Sequence, residues 1–274
     1  MRFGILGTTR AWRADGREVI IGGPALRTLL ALLLVRAGEA VSVDSLVEEL
    51  YGERPSLDAG HALQSQISRL RRTLAEVTID SLPSGYRLLT GDHKIDATEF
   101  ERLSEEGRQA LGEGDPRRAA ALLGAALVLW RGAALADVAD APSARAMASR
   151  LEERRSAAVE DRIEAELRLG EHLAAVAELR ELVTRNPLRE RPHGLLMRAL
   201  VASGETAEAL ATFAAFRQRL VEELGAEPSA ELAAVHLALL RPEARPGCRR
   251  RSPALSDGPM TSPRSRSCSP APDS

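Results

Sequence analysis

Aromatic residues are scarce in this chain: Phe, Trp and Tyr make up 3% of its 274 residues. Its cores must therefore be filled by Leu, Ala and Val, and Ala and Leu have the strongest helix propensity, so helices are favoured. Cysteine is nearly missing. Cys248 and Cys268 both lie close to the C-terminus, where they cannot staple a core, and they lack zinc-type spacing. Long apolar runs are missing too. The longest, Leu29 to Val35, is far short of the roughly 20 residues that span a bilayer. No charged leader followed by an apolar stretch is visible after Met1, so a cytoplasmic protein with no membrane partner is expected.

Catalytic signatures are equally thin. The histidines, His61, His93, His172, His193 and His236, are scattered, and no Ser or Cys has the setting of a nucleophile. No Gly-rich loop with a lysine is present. Acidic pairs such as Glu152-Glu153 and Glu222-Glu223 read as solvated helix faces. No catalytic, cofactor-binding or metal-binding residue is assigned, and an enzyme is not expected.

The net charge of −2 conceals an uneven distribution. Residues 1–96 hold 12 basic and 12 acidic side chains, 97–240 hold 18 against 24, and 241–274 hold seven against three. All but Lys94 of the basic residues are Arg, the side chain best suited to phosphate and guanine. Charge totals do not decide the function of a neutral first segment; the direction of its arginines does.

The first 96 residues read as strands, three helices and a hairpin. Phe3 and Ile5, then Val19 and Ile21, alternate around an Ala14-Asp15-Gly16 turn, the pattern of two or three short strands. Pro24 suits a first helical turn, and Leu26, Leu29, Leu30, Leu33 and Leu34 follow at helical spacing until Gly38. Ser42 is placed to cap a second helix through Leu50, which Gly52 and Pro55 end, and Asp58 to cap a third. Strand-like Val77-Thr78-Ile79 and Tyr86 to Leu89 then flank Ser81-Leu82-Pro83-Ser84-Gly85.

The third helix carries the most information. At 100° per residue, Leu63, Ile67, Leu70 and Leu74 fall on one narrow stripe. His61, Ser65, Ser68, Arg69, Arg72 and Glu76 fall opposite, with Gln64, Gln66 and Arg71 on the flanks. A basic face alone is more often wet surface than a binding site. A preceding helix and a following hairpin change that reading, because this order is how a winged helix enters the major groove of double-stranded DNA. Ser65, Ser68, Arg69, Arg72, Arg71 and His61 are therefore the candidate DNA contacts, with His61 equally readable as plain surface. Arg87 in the hairpin, with Arg27 and Thr28 on the first helix, is expected on phosphate. Tyr86 is expected to pack against the third helix.

From Ala97 onward the pattern is helical. Gly114-Asp115, Gly170-Glu171 and Gly204-Glu205 each precede an Ala-rich helix, and the last two glycines are 34 residues apart, the period of a tetratricopeptide repeat. Residues 241–274 are rich in Pro, Ser and Arg and cannot bury enough surface to offset their ordering entropy, so a disordered tail is expected. It is readable either as an idle extension or as a salt-sensitive hold on DNA. The expected fold is mainly α with a small β component: a winged helix-turn-helix over 1–96, then an all-α tetratricopeptide-like domain over 97–240.

In its ordered motifs the chain resembles the SARP regulators, actinobacterial activators of antibiotic-type biosynthetic clusters. The likeness rests on Pro24-Ala25-Leu26-Arg27, Val41-Ser42-Val43-Asp44-Ser45-Leu46, the run Leu63 to Arg72, and Pro83-Ser84-Gly85-Tyr86-Arg87-Leu88. Further along it rests on Ala126 to Gly132, Asn186 to Glu190 and Leu224 to Ser229. The resemblance implies an OmpR-type winged helix and a bacterial transcriptional activation domain. It also implies binding to direct repeats and contact with RNA polymerase; two protomers side by side on adjacent repeats, a homodimer on DNA, are expected. Ala25-Leu26 stands where the family has Lys-Gln, which removes a phosphate contact, and Tyr51 stands where a Trp is common. Control through a two-component receiver domain is not expected. The rival reading is a helical-repeat scaffold whose winged helix docks protein.

Overall fold

The computed structural model describes residues 1–52, 55, 57–138 and 141–240. Three short strands come first: β1 (Arg2–Gly4), β2 (Arg10–Trp12) and β3 (Glu18–Val19). They join β7 (Lys94–Ile95) in a four-stranded sheet of order β3-β2-β1-β7, with β1 and β7 parallel. Between them run α1 (Pro24–Val35), β4 (Ala40–Val41), α2 (Val43–Tyr51) and α3 (Ala59–Thr73). The hairpin β5 (Thr78–Leu82) and β6 (Gly85–Leu89) follows, and β4 pairs with β6 to give a sheet of order β4-β6-β5. The two-residue strands β4 and β7 carried no visible alternation in the sequence.

Several local expectations hold for the stated reasons. Pro24 sits in the first turn of α1, and the Ser42 hydroxyl accepts from the Ser45 amide at 3.1 Å, capping α2. Asp58 does occupy the N-cap of α3, but only its backbone is used: the Asp58 carbonyl accepts from Ala62 N at 3.0 Å, and its side chain makes no capping bond. The hairpin is tighter than its sequence suggested. Leu82 pairs directly with Gly85, which leaves Pro83-Ser84 as a two-residue turn. Gly85 is obligatory there: its φ is +143°, and a Cβ would stand 2.0 Å from the Val41 carbonyl oxygen. The third strand can lie against the hairpin only because that side chain is missing.

The second half is built from α4 (Asp96–Gly112), α5 (Pro116–Val128), α6 (Pro142–Arg168), α7 (His172–Arg185), α8 (Glu190–Ala202), α9 (Thr206–Leu224) and α10 (Ala230–Leu240). Each expected Gly-acid pair falls between consecutive helices, α4/α5, α6/α7 and α8/α9, with the glycine at positive φ. Asp115 caps α5 through its carboxylate, whereas Glu171 and Glu205 hold the same position without a side-chain capping bond. The tail, 241–274, lies outside the described residues.

The hydrophobic core ignores the chain position where the strand-rich half ends. One continuous cluster runs from Phe3 through Leu33, Leu63 and Leu88 into Phe100, Leu123 and Leu151; a second holds Ile163, Leu179, Leu196 and Phe216. The 27-residue α6 feeds both clusters. Polar bonds reinforce the seam. Asp96, 7% exposed, accepts from Ile5 N at 2.8 Å, Leu6 N at 3.2 Å and Arg131 Nη2 at 2.9 Å. Glu49 on α2 accepts from Ser143 N at 3.1 Å in the first turn of α6.

Candidate nucleic-acid interface

The third helix buries the stripe its periodicity announced. Ala59, Leu63, Ile67 and Leu70 are buried, and Leu74 follows at the C-cap. Each such leucine contributes on the order of 2 kcal/mol by leaving water, so the roll angle of the helix is fixed. His61, Gln64, Ser65, Ser68, Arg69 and Arg72 are exposed as a consequence. The helix ends at Thr73, so Glu76 is not on this face. It sits in the turn before β5 and pairs with Arg13 at 3.5 Å.

The arginines of this region divide sharply by what they already hold. Among the described residues the Arg69 guanidinium has no hydrogen-bond or ion-pair partner, although its carbonyl accepts from Thr73 Oγ1 at 3.0 Å. Arg72 makes only a 3.5 Å contact from Nε to the Ser68 carbonyl, within its own helix. Arg71, expected beside them as a DNA contact, is committed elsewhere. Its Nε and Nη2 donate to the Ile79 carbonyl at 2.9 and 2.5 Å, and Nη2 also donates to Ser81 Oγ at 2.8 Å.

Two other expected phosphate ligands are also engaged within the protein. Arg87 faces Asp80 across the hairpin, with Nη2 2.9 Å from Oδ2. Arg27 reaches Asp137 at 3.3 Å, in the segment after α5, and the same carboxylate accepts from Thr9 N and Thr9 Oγ1. Thr28 beside it is half-buried. The first helix thus faces the second half of the protein. Asp137 gives no periodic signal, so its role could not be read from the sequence. Tyr86 is buried.

Tyr51 has a task beyond filling space. Gln66 Nε2 donates to its hydroxyl at 2.9 Å, tying α2 to α3, and burial raises the Tyr51 pKa. A Trp at this place would present an N–H, which cannot accept that bond.

Two family descriptions match this chain. "Transcriptional regulatory protein, C terminal" covers residues 16–88 and "bacterial transcriptional activator domain" covers 95–240. The regulatory protein DnrI of Streptomyces peucetius is 38% identical over 240 residues, which is 84% of this chain and 88% of DnrI. The chain belongs to the SARP family of transcriptional regulators. The regulatory protein AfsR of Streptomyces griseus is 40% identical over 88% of the chain, which spans only 24% of AfsR. The solved EmbR of Mycobacterium tuberculosis, in complex with a low-affinity phosphopeptide, superposes with a TM-score of 0.82 at 31% identity. That match covers 87% of this chain and 64% of EmbR. The SARP fold expected from the motifs, a winged helix followed by a helical domain, is the fold observed. Among the described residues no helix is long and apolar enough to cross a membrane.

Proposed function

We propose that this SARP protein is a cytoplasmic, DNA-binding transcriptional activator of a biosynthetic gene cluster. In this reading α3 is the recognition helix and enters the major groove. Arg69 and Arg72 supply donors for guanine or phosphate, while Ser65, Ser68 and His61 line the same face. The β5–β6 hairpin is the wing. Arg71, Arg87 and Arg27 shape the domain instead of touching DNA. Two protomers sit side by side on direct repeats, and the acidic 97–240 half faces RNA polymerase, because like charge keeps it off the duplex.

The observation that carries this reading is the unspent guanidinium of Arg69 on an exposed helix face next to a hairpin. Five donors held at a protein surface without an acceptor suit a polyanion. The test is enrichment of random-sequence duplexes by the full chain, followed by titration of the enriched and scrambled sites. Loss of discrimination in Arg69→Ala supports base reading by Arg69; an even loss on both sites assigns it to phosphate. Recovery of no duplex by the wild-type chain would overturn the assignment and favour a protein-docking scaffold.

A further inference from the structure

Within the recognition helix, Arg71 flanks the face that Arg69 and Arg72 share, and its position alone does not say what it holds. Its surroundings do. The wing strand β5 is the outer strand of its sheet, paired on one side only, with β6. Carbonyls on its other side therefore lack a strand partner. Ile79 is one of them, and its oxygen receives both Nε and Nη2 of Arg71. The same Nη2 continues to Ser81 Oγ, two residues before the turn at the wing tip. One planar guanidinium thus grips two successive points along the wing. A lysine at this position could bring only a single nitrogen to them.

We propose that Arg71 is a positioning residue: it sets the angle between the recognition helix and the wing, and so the spacing at which the two reach DNA. This rests on the DNA-binding reading given above. The inference predicts that geometry matters at position 71 and charge alone does not. A phosphate contact would show the reverse, since lysine serves phosphate nearly as well as a point charge.

The experiment uses the full chain and one duplex recovered by the wild type from random-sequence DNA. Binding is titrated for Arg71→Lys, Ser81→Ala and the double variant, with thermal unfolding of each free protein as the control for folding. Arg71→Lys is expected to bind about tenfold more weakly although the charge is kept. Ser81→Ala is expected to weaken binding less, and the double variant to bind no worse than Arg71→Lys, because both changes break one linkage. If Arg71→Lys fails to fold, Ser81→Ala alone decides: weakened binding with an unchanged unfolding midpoint supports the strut, and wild-type binding refutes it. Binding by Arg71→Lys within about twofold of wild type, or independent effects that multiply in the double variant, overturns the proposal. Failure of the wild type to recover any duplex is visible before any variant is made and refutes the DNA-binding reading itself.

Discussion

The outward face of α3 and the junction of α6 with α8 are both rich in arginine, yet they are opposite in kind. On α3, the Arg69 guanidinium has no partner among the described residues. At the junction the arginines are paired with carboxylates. Arg189 pairs with Glu160 and, at 2.7 Å, with Glu153, while Arg191 reaches Asp161 at 2.5 Å and Glu164 at 3.1 Å. Glu160 and Asp161 are each 3% exposed, and the bonds from the arginines offset the cost of burying such polar groups. Hydrogen bonds donated to Glu160 hold the Arg189 pKa above its usual value; at Arg191 burial pulls the pKa down, but Asp161 and Glu164 outweigh it and the net shift is upward. The contrast shows that exposure and neighbours in sequence do not separate a free arginine from a spent one; the acceptors within its reach do.

The sharpest way to test this contrast is to remove a spent partner. Glu160→Gln should cost about 2–3 kcal/mol of stability in chemical denaturation, toward the low side for a broken buried pair because Arg189 and Arg191 each keep an open flank. Its affinity for DNA, measured well below the melting temperature, should not change. A stable Glu160→Gln chain would mean that the junction is as dispensable as a surface pair. The free side gives the mirror result. Arg69→Ala should lose about 1–3 kcal/mol of DNA binding in an equilibrium titration, while its unfolding midpoint stays at the wild-type value.

A smaller effect is expected at Arg27, an arginine expected on phosphate that holds a carboxylate instead. Asp137→Ala deprives Thr9 and Arg27 of their shared acceptor, and should lower stability by about 1–2 kcal/mol. It leaves Arg27 unpaired, so a gain in DNA affinity measured in the same variant would mean that Arg27 can reach phosphate after all. The smallest effect concerns pH. Burial lowers the pKa of His193, which bonds to the Arg189 carbonyl and packs on Phe216 at 4.3 Å. Between the ordinary histidine value of about 6.5 and this lowered one, the unfolded chain takes up a proton that the folded chain refuses. Stability should therefore fall as pH drops through that window and level off below it. Urea midpoints at about pH 7.5 and pH 5.5 should differ less in His193→Gln than in wild type; equal differences would remove His193 as the source.

Much of the fold was legible because it rests on local rules. Leu63, Ile67 and Leu70 recur at helical spacing, Pro24 and Ser42 mark helix starts, and Gly170 and Gly204 mark turns between helices. These signals need no distant partner, so the order of elements and the exposed face of α3 could be read directly. Glu76 was misplaced for a related reason: periodicity cannot tell where a helix stops when no glycine or proline marks its end.

The sequence by itself determined which side of α3 must be wet, because one apolar stripe can be buried in only one way. It also determined the alternation of helices and glycine turns through residue 240. Tertiary structure alone decided which arginines remain free. Arg27, Arg71 and Arg87 carry the same group as Arg69, but Asp137, the Ile79 carbonyl and Asp80 lie within reach of them and not of it. Tertiary structure also joined the winged helix to the first helical pair in one core, since Asp96, Arg131 and Glu49 meet their partners only once the chain has folded. Pairing across space depends on distance, and distance between remote residues is not encoded in any local pattern.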